Sequence, residues 1–149
     1  MKIYKNFNVS KKFESSAIAI GNFDGFHLGH QKVIKSGKYL ARKHKLKFGL
    51  LVFHPLPVMF FNKKIKNFRI DSLKQKIETS KKLGIDFIII KKFDKKFSKT
   101  SAESFIEQVL HKKLKAKLIF ISQNFKFGKN RTGNINLLKK KESIYNYKT

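Results

Sequence analysis

The chain has 149 residues, with 35 lysines and arginines against nine acids, a formal charge of +26 and no cysteine. That length fits about one domain, and 41% hydrophobic with 13% aromatic residues is a globular composition, not a disordered one. The missing cysteine excludes a disulfide framework, a thiolate metal site and a cysteine nucleophile, and no apolar run nears the roughly 18 residues of a membrane span.

The basic segment Met1–Lys12 is not followed by an apolar signal region, so no secretory signal is expected and a cytoplasmic protein is the expectation. Ser16–Asn22 reads as a buried strand ending in a glycine loop. His30–His44 places Val33, Ile34, Leu40 and Ala41 at helical spacing. Lys47–Phe53 reads as a second strand, stopped by Pro55 and Pro57. Asp71–Leu83 reads as a helix with Asp71 as N-cap and Gly84 past its end, followed by a strand over Asp86–Ile90.

Thr100-Ser-Ala-Glu103 has the form of a capping box opening a helix through His111, with Phe105, Ile106, Val109 and Leu110 inward. Lys117–Ser122 reads as a fourth strand, and Asn124–Asn134 as a glycine-containing loop. Asn136–Lys141 is expected as a short helix, and Ser143–Tyr147 as the start of another strand. Strands alternating with helices imply an α/β fold, a parallel sheet covered on both faces. Ligands bind beyond the carboxyl ends of such strands. Four segments fall there: Gly21–His30, His54–Asn62, Lys91–Thr100 and Ser122–Asn134.

The charge invites a nucleic-acid reading, because lysine and arginine neutralise phosphates. Only Arg42, Arg69 and Arg131 are arginines, and the lysines run from Lys2 to Lys148 with no clustering. Abundant Lys, Asn, Ile and Phe is what an AT-rich genome encodes. The composition therefore weighs against a nucleic-acid partner, while the net charge still steers acidic ligands inward.

The most informative string is Gly21-Asn-Phe-Asp-Gly25-Phe-His27-Leu-Gly29-His30, after the first strand and at the start of the first helix. Glycines let backbone approach a ligand, and a helix N-terminus offers free N–H groups to an anion. His27 and His30 share the first helical turn and can face one spot, as donors to a phosphate. The alternatives are metal ligation or capping; Asp24 is the only close candidate for a third ligand. Asp24 has two open readings, a nucleotide contact or an Asp-Gly turn.

At these residues the chain resembles the FMN adenylyltransferase (FAD synthetase) module of bacterial bifunctional riboflavin kinase/FAD synthetases, a nucleotidyltransferase family with a His-x-Gly-His signature. Three further segments resemble the family in order and spacing. Phe53-His54-Pro55-Leu56-Pro57 is similar to its Phe-x-Pro-His-Pro loop. The run from Phe97 through Ala102-Glu103-x-Phe105 is similar to its Ala-Glu-x-Phe segment. Asn124-Phe125-Lys126-Phe127-Gly128, continuing to Gly133-Asn134, is similar to its third loop motif. The resemblance covers about residues 15–138, with Leu56 standing where the family has His and Ser122 where it has Gly.

The resemblance implies a Rossmann-like, doubly wound parallel sheet of the nucleotidyltransferase type. It implies transfer of AMP from ATP to FMN, giving FAD and diphosphate, with Mg²⁺ accompanying ATP and no metal held by the protein. It assigns His27 and His30 to the ATP phosphates, and Gly21, Asn22, Phe23, Asp24, Gly25, Gly29 and Asn124 to the nucleotide. Asn124 can equally make a local Asx turn. Pro55, Pro57, Phe61 and Phe127 are the expected flavin walls, since a planar ring is well served by aromatic and proline faces. Core packing is the alternative for each Phe; Phe60 can replace Phe61 as the exposed one, and Phe125 is expected inside if Phe127 faces the cleft. Lys126, Lys129 and Arg131 are phosphate candidates or a solvated basic loop.

The family continues to a phosphate-binding Ser-Ser-Thr-x-x-Arg motif and a riboflavin kinase barrel, neither of which matches Thr132–Thr149. Residues 1–149 are therefore expected to be a partial adenylyltransferase domain without the kinase, with an incomplete sheet and little FAD formation. Two other functions stay open: another small nucleotidyltransferase with a different acceptor, and a noncatalytic basic domain that binds nucleic acid.

Overall fold

The computed structural model describes residues 1–65 and 70–149. Five strands, β1 (Lys2–Tyr4), β2 (Ala17–Ile20), β3 (Phe48–His54), β4 (Phe87–Lys92) and β5 (Leu118–Phe120), pair in parallel in the order β1-β4-β3-β2-β5. All of central β3 except His54 is buried. A parallel strand covered on both faces carries continuous apolar residues rather than an alternation.

The helices are α1 (Leu28–Lys43), α2 (Pro57–Phe61), α3 (Leu73–Lys82), α4 (Lys95–Ser98), α5 (Ala102–Ser104) and α6 (Ile135–Tyr145). α5 runs directly into a π-helix over Phe105–Lys113. The two faces of the sheet hold separate cores. Ala17, Ala19, Leu50, Val52 and Ile88 meet Ile34 and Ala41 of α1, with Leu83 and Ile85 after α3. Ile18, Ile20, Leu51, Phe53, Phe87 and Ile89 meet Phe105, Ile106, Val109 and Leu110 of the π-helix and Leu138 of α6.

Topology places the site. The chain leaves β2 through α1 on one face and steps outward to β3 and β4. It then returns through the π-helix on the opposite face to pair β5 with the other side of β2. The order reverses between β3 and β5 around β2, and a crevice opens at the carboxyl ends there. This is the doubly wound parallel sheet expected from the sequence. No helix among the described residues is long and apolar enough to cross a membrane.

Several local expectations change. Ser72, not Asp71, caps α3, in a reciprocal capping box with Gln75. Asp71 turns away because its carboxylate accepts from the Gly25 N–H. Ser101, not Thr100, caps α5 by accepting from the Ser104 N–H. The Thr100 carbonyl instead accepts from Lys129, and Glu103 pairs with Lys141. Ser143–Tyr147 is not a strand: α6 runs to Tyr145, and the bridge to β5 comes later, between Lys148 and Leu118. Buried Tyr147 fixes that end, its hydroxyl donating to the Leu138 carbonyl at 2.7 Å.

Gly49 lies where β3 passes the Phe87 ring, and a Cβ there would run into that ring. Gly49→Ala is expected to destabilise the fold by roughly 1–3 kcal/mol, the usual cost of overpacking a core. Urea unfolding at pH 7 checks this; an unchanged midpoint and slope would mean the ring moves aside freely.

Candidate active site

From Ile20 the chain turns through a loop into α1. Phe23 and Phe26 anchor it, with only 1% and 5% of their surface exposed. Both have left-handed backbone, with φ of 45° and 41°. Bulky residues rarely adopt this region, and the strain costs roughly 1–3 kcal/mol each. Burying each ring stabilises by roughly 1.5–3 kcal/mol and offsets it. Gly25 between them, at φ 69°, takes the same region without a Cβ penalty.

The loop is clasped to the segment before α3. The Asp24 carboxylate accepts from the N–H groups of Ile70, at 2.7 Å, and Asp71, at 3.0 Å. The Asp71 carboxylate accepts from Gly25 at 2.9 Å. The Lys76 ammonium, on the buried side of α3, donates to the Asn22 carbonyl. Asp24 therefore orients a neighbour, and neither Asp24 nor Gly25 lines the cleft.

His27 sits at the N-cap of α1 without a side-chain cap bond, so capping is not its role. Its ring stacks on His30, centroids 3.7 Å apart and planes 26° apart. Gly29 leaves room for this, since a Cβ there would lie 3.1 Å from the His27 ring. His30 also packs on Phe23 at 5.0 Å, and its buried Nδ1 has no hydrogen-bond partner among the described residues. Burial first, then neighbouring His27 and the Lys76 ammonium, lower its pKa to about 4, with Asp24 pulling the other way. His30 is thus a neutral imidazole at pH 7. Among the described residues no three His, Cys, Asp or Glu gather to hold a metal ion.

Beyond the loop lies a cleft of about 980 Å³, lined from all four segments expected at the strand ends. Gly21, Asn22, Phe23, His27, Gly29 and His30 form one wall, and Asn124 stands across it. Pro57 and Phe61 line a second side, Phe61 with 69% of its surface exposed. Pro55 does not line it. The His54–Pro55 peptide is cis, and Pro55 turns to a smaller cavity with Leu56, Leu73 and Lys76. Phe127 lines the cleft but is buried, while Phe125 is half-exposed, the reverse of the expected arrangement. A Phe127–Gly133 bridge, with paired main-chain bonds, draws the Phe127 ring against Phe105 at 5.5 Å.

The sequence reading missed Phe93, and treated Phe97 and Phe105 only as family or core positions. The rings form a continuous series: Phe61–Phe93 at 5.8 Å, Phe93–Phe97 at 5.7 Å, Phe97–Phe105 at 6.1 Å and Phe125–Phe127 at 6.3 Å. The signal available was a Phe at the end of each strand segment facing the same crevice. Lys126 and Arg131 line the cleft, Lys129 does not, and no Asp or Glu among the described residues does.

The low His30 pKa makes stability depend on pH. As pH falls from 6.5 toward 4, the unfolded chain takes up a proton that folded His30 refuses, so stability falls across that window. Urea unfolding of wild type and His30→Gln between pH 7 and 5 is expected to give a shallower decline for the variant. Parallel profiles would show that His30 is not held neutral.

Comparison with known proteins agrees with this architecture. A sequence profile of the FAD synthetase family matches residues 9–149. A bifunctional riboflavin kinase/FMN adenylyltransferase of Buchnera aphidicola from Schizaphis graminum is 41% identical over 149 residues, covering 99% of this chain and 48% of the relative. Relatives of the same description from Haemophilus influenzae and Escherichia coli K12 are 37% and 31% identical, covering 88% and 90% of this chain and 42% and 43% of their own lengths. The chain thus spans about half the length of the curated relatives it matches. A crystal structure from Streptococcus pneumoniae, described as a macrolide-efflux protein, shares the fold with a TM-score of 0.76 at 21% identity, over 98% of this chain and 47% of that one. With the profile matched along nearly its whole length, the chain belongs to the FAD synthetase family.

Proposed function

We propose that the cleft binds ATP and FMN and transfers AMP to FMN, giving FAD and diphosphate. The observation that carries this is the stacked His27–His30 pair at an uncapped helix N-terminus, opening onto a phenylalanine-lined cleft free of carboxylates among the described residues. An FMN phosphate oxygen attacks the α-phosphorus of ATP, a new P–O bond forms, and the bond to the β-phosphate breaks in line with it. No protein nucleophile takes part; the protein positions the phosphates and stabilises developing charge.

The residues divide the work. The N–H groups at the start of α1 and the two imidazoles receive the triphosphate. Neutral His30 donates through its N–H without first needing a proton from solvent. Gly21, Asn22 and Phe23 carry the peptide that turns this loop toward the ligand, and Asn124 faces it from the loop after β5. Phe61, Pro57 and Phe125 take the flavin ring, with buried Phe127 supporting Phe125 from behind. Asp24 spends its two oxygens on main-chain N–H groups, and Mg²⁺ is read as accompanying the ATP substrate.

The enzyme half of this reading is tested in a version of the chain extended through the Ser-Ser-Thr-x-x-Arg motif, with FAD followed by chromatography. His27→Ala/His30→Ala is expected to lower turnover by at least the roughly 10²–10³ that one preorganised donor contributes. Wild-type turnover by a folded double variant would remove the assignment.

The flavin half is tested on the chain as it stands. Phe61→Ala is expected to weaken FMN binding by roughly 0.5–1.5 kcal/mol, the worth of an aromatic contact, with ATP binding and melting temperature unchanged. Equal loss of both ligands would move the flavin site elsewhere.

A further inference from the structure

Lysine is almost never fully buried unless a partner holds its charge. Lys74, Lys81 and Lys82 of α3 are exposed, but Lys76 is 5% exposed and points inward. Its ammonium donates to the carbonyl of Asn22, 54 residues earlier in the chain. Asn22 lies between Gly21 and Phe23, and all three line the cleft, whereas Lys76 lines only the small cavity behind it. An ammonium that bonds the loop from behind and never reaches the cleft surface acts on a ligand through the loop.

We propose that Lys76 is a positioning residue for phosphate binding: its ammonium holds the Asn22–Phe23 peptide through the Asn22 carbonyl and places a positive charge near His30. This rests on reading the cleft as a nucleotide site. Three elements converge on His30, namely its own helix through His27, the loop through Asp24, and α3 through Lys76. Asp24 and Asp71 are each engaged by main-chain N–H groups of the opposite segment, so the carboxylates fasten the loop to the segment before α3. The low pKa of His30 agrees with this placement, because the ammonium disfavours a second positive charge beside it. The charge of Lys76 attracts phosphate and adds to the burial and the His27 ring that together disfavour protonation of His30.

The test has two readouts on the chain as it stands: ATP affinity by calorimetry at pH 7.5, and the His30 titration by NMR without nucleotide. In Lys76→Met, ATP affinity is expected to fall roughly tenfold or more, the scale of a lost bond to a charged donor. The His30 midpoint is expected to rise from about 4, and FMN affinity to fall less than ATP affinity, since Lys76 shares its small cavity with Leu56 and Met59 but does not itself line the cleft. Lys76→Gln keeps a donor for Asn22 but removes the charge, and is expected to raise the His30 midpoint with less disturbance of the loop amides. A folded variant with unchanged His30 midpoint and unchanged ATP affinity overturns the proposal. If neither variant folds, the wild-type Lys76 ammonium resonance must shift on adding ATP, and its failure to do so overturns the proposal. Absence of ATP binding by wild type would sink the adenylyltransferase reading, while the nucleotide-free His30 titration would still decide the role of Lys76.

Discussion

Two phenylalanine rings buried under the end of β2 fix where chemistry can occur in this chain. Phe23 and Phe26 are sealed in the core on the α1 side of the sheet, and that burial, with the hydrogen bonds that clasp the loop to the segment before α3, holds their left-handed backbone in place. Their position sets the direction from which α1 starts. That direction aims the free N–H groups of its first turn, and the imidazoles of His27 and His30, at the crevice beside β2. Phe23 also packs directly on the His30 ring, so the same side chain holds the loop and excludes water from a donor. Strain in the backbone and function of the site share one cause.

The charge distribution follows a related logic. Each of the four aspartates accepts a main-chain N–H: Asp24 from Ile70 and Asp71, Asp71 from Gly25, Asp86 from Phe48 and Asp94 from Phe97. Hydrogen bonding holds the Asp94 carboxyl below the usual carboxylate range, the Phe97 N–H being the main cause. Four glutamates pair with lysines on the faces away from the loop. The four aspartates and these four glutamates are thus engaged elsewhere, and the described cleft wall is left with imidazoles, Lys126 and Arg131. A net +26 spread over the surface draws anions in general; the absence of acids from the described wall is what makes this crevice a favourable end point for them.

Much of this was legible in the sequence because the deciding features are local. The apolar runs of β3 and β4 announced a sheet buried on both faces, and the alternation of strands and helices announced its parallel winding. The glycine string with paired histidines marked the loop that lines the cleft, since its conformation depends on a few neighbouring residues. What escaped was set by contacts between distant segments. Asp71 looked like an N-cap because Asp is a good one, but Gly25, 46 residues away, takes its carboxylate and leaves the cap to Ser72. Period-two alternation could not show which of Phe125 and Phe127 turns inward, because the bridge to Gly133 makes that choice. β1 escaped because Lys2–Tyr4 is too short and polar to carry a pattern; it exists by pairing with β4. The burial of Lys76 was equally hidden, since its side of α3 carries no distinctive neighbours until the loop is folded onto it.

The ring series from Phe61 to Phe125 links these observations to how two substrates can share one cleft. Its members come from α2 (Phe61), the segment after β4 through α4 (Phe93 and Phe97), the π-helix (Phe105) and the loop after β5 (Phe125 and Phe127), so each of these elements places at least one ring on the cleft. The phosphate loop contributes no exposed aromatic ring to that wall, because Phe23 and Phe26 are spent on burial. The crevice is therefore polar beside α1, where His27 and His30 stand, and lined by phenylalanine rings elsewhere, with Lys126 and Arg131 on the loop after β5. On the proposed reading, the phosphates lie toward His27 and the flavin ring toward Phe61. A nucleotide triphosphate and a flavin phosphate entering from the two sides would bring their phosphates together over the histidines, where in-line transfer needs them. On the proposed reading, orientation by opposed walls, rather than any reactive side chain, is the catalytic resource.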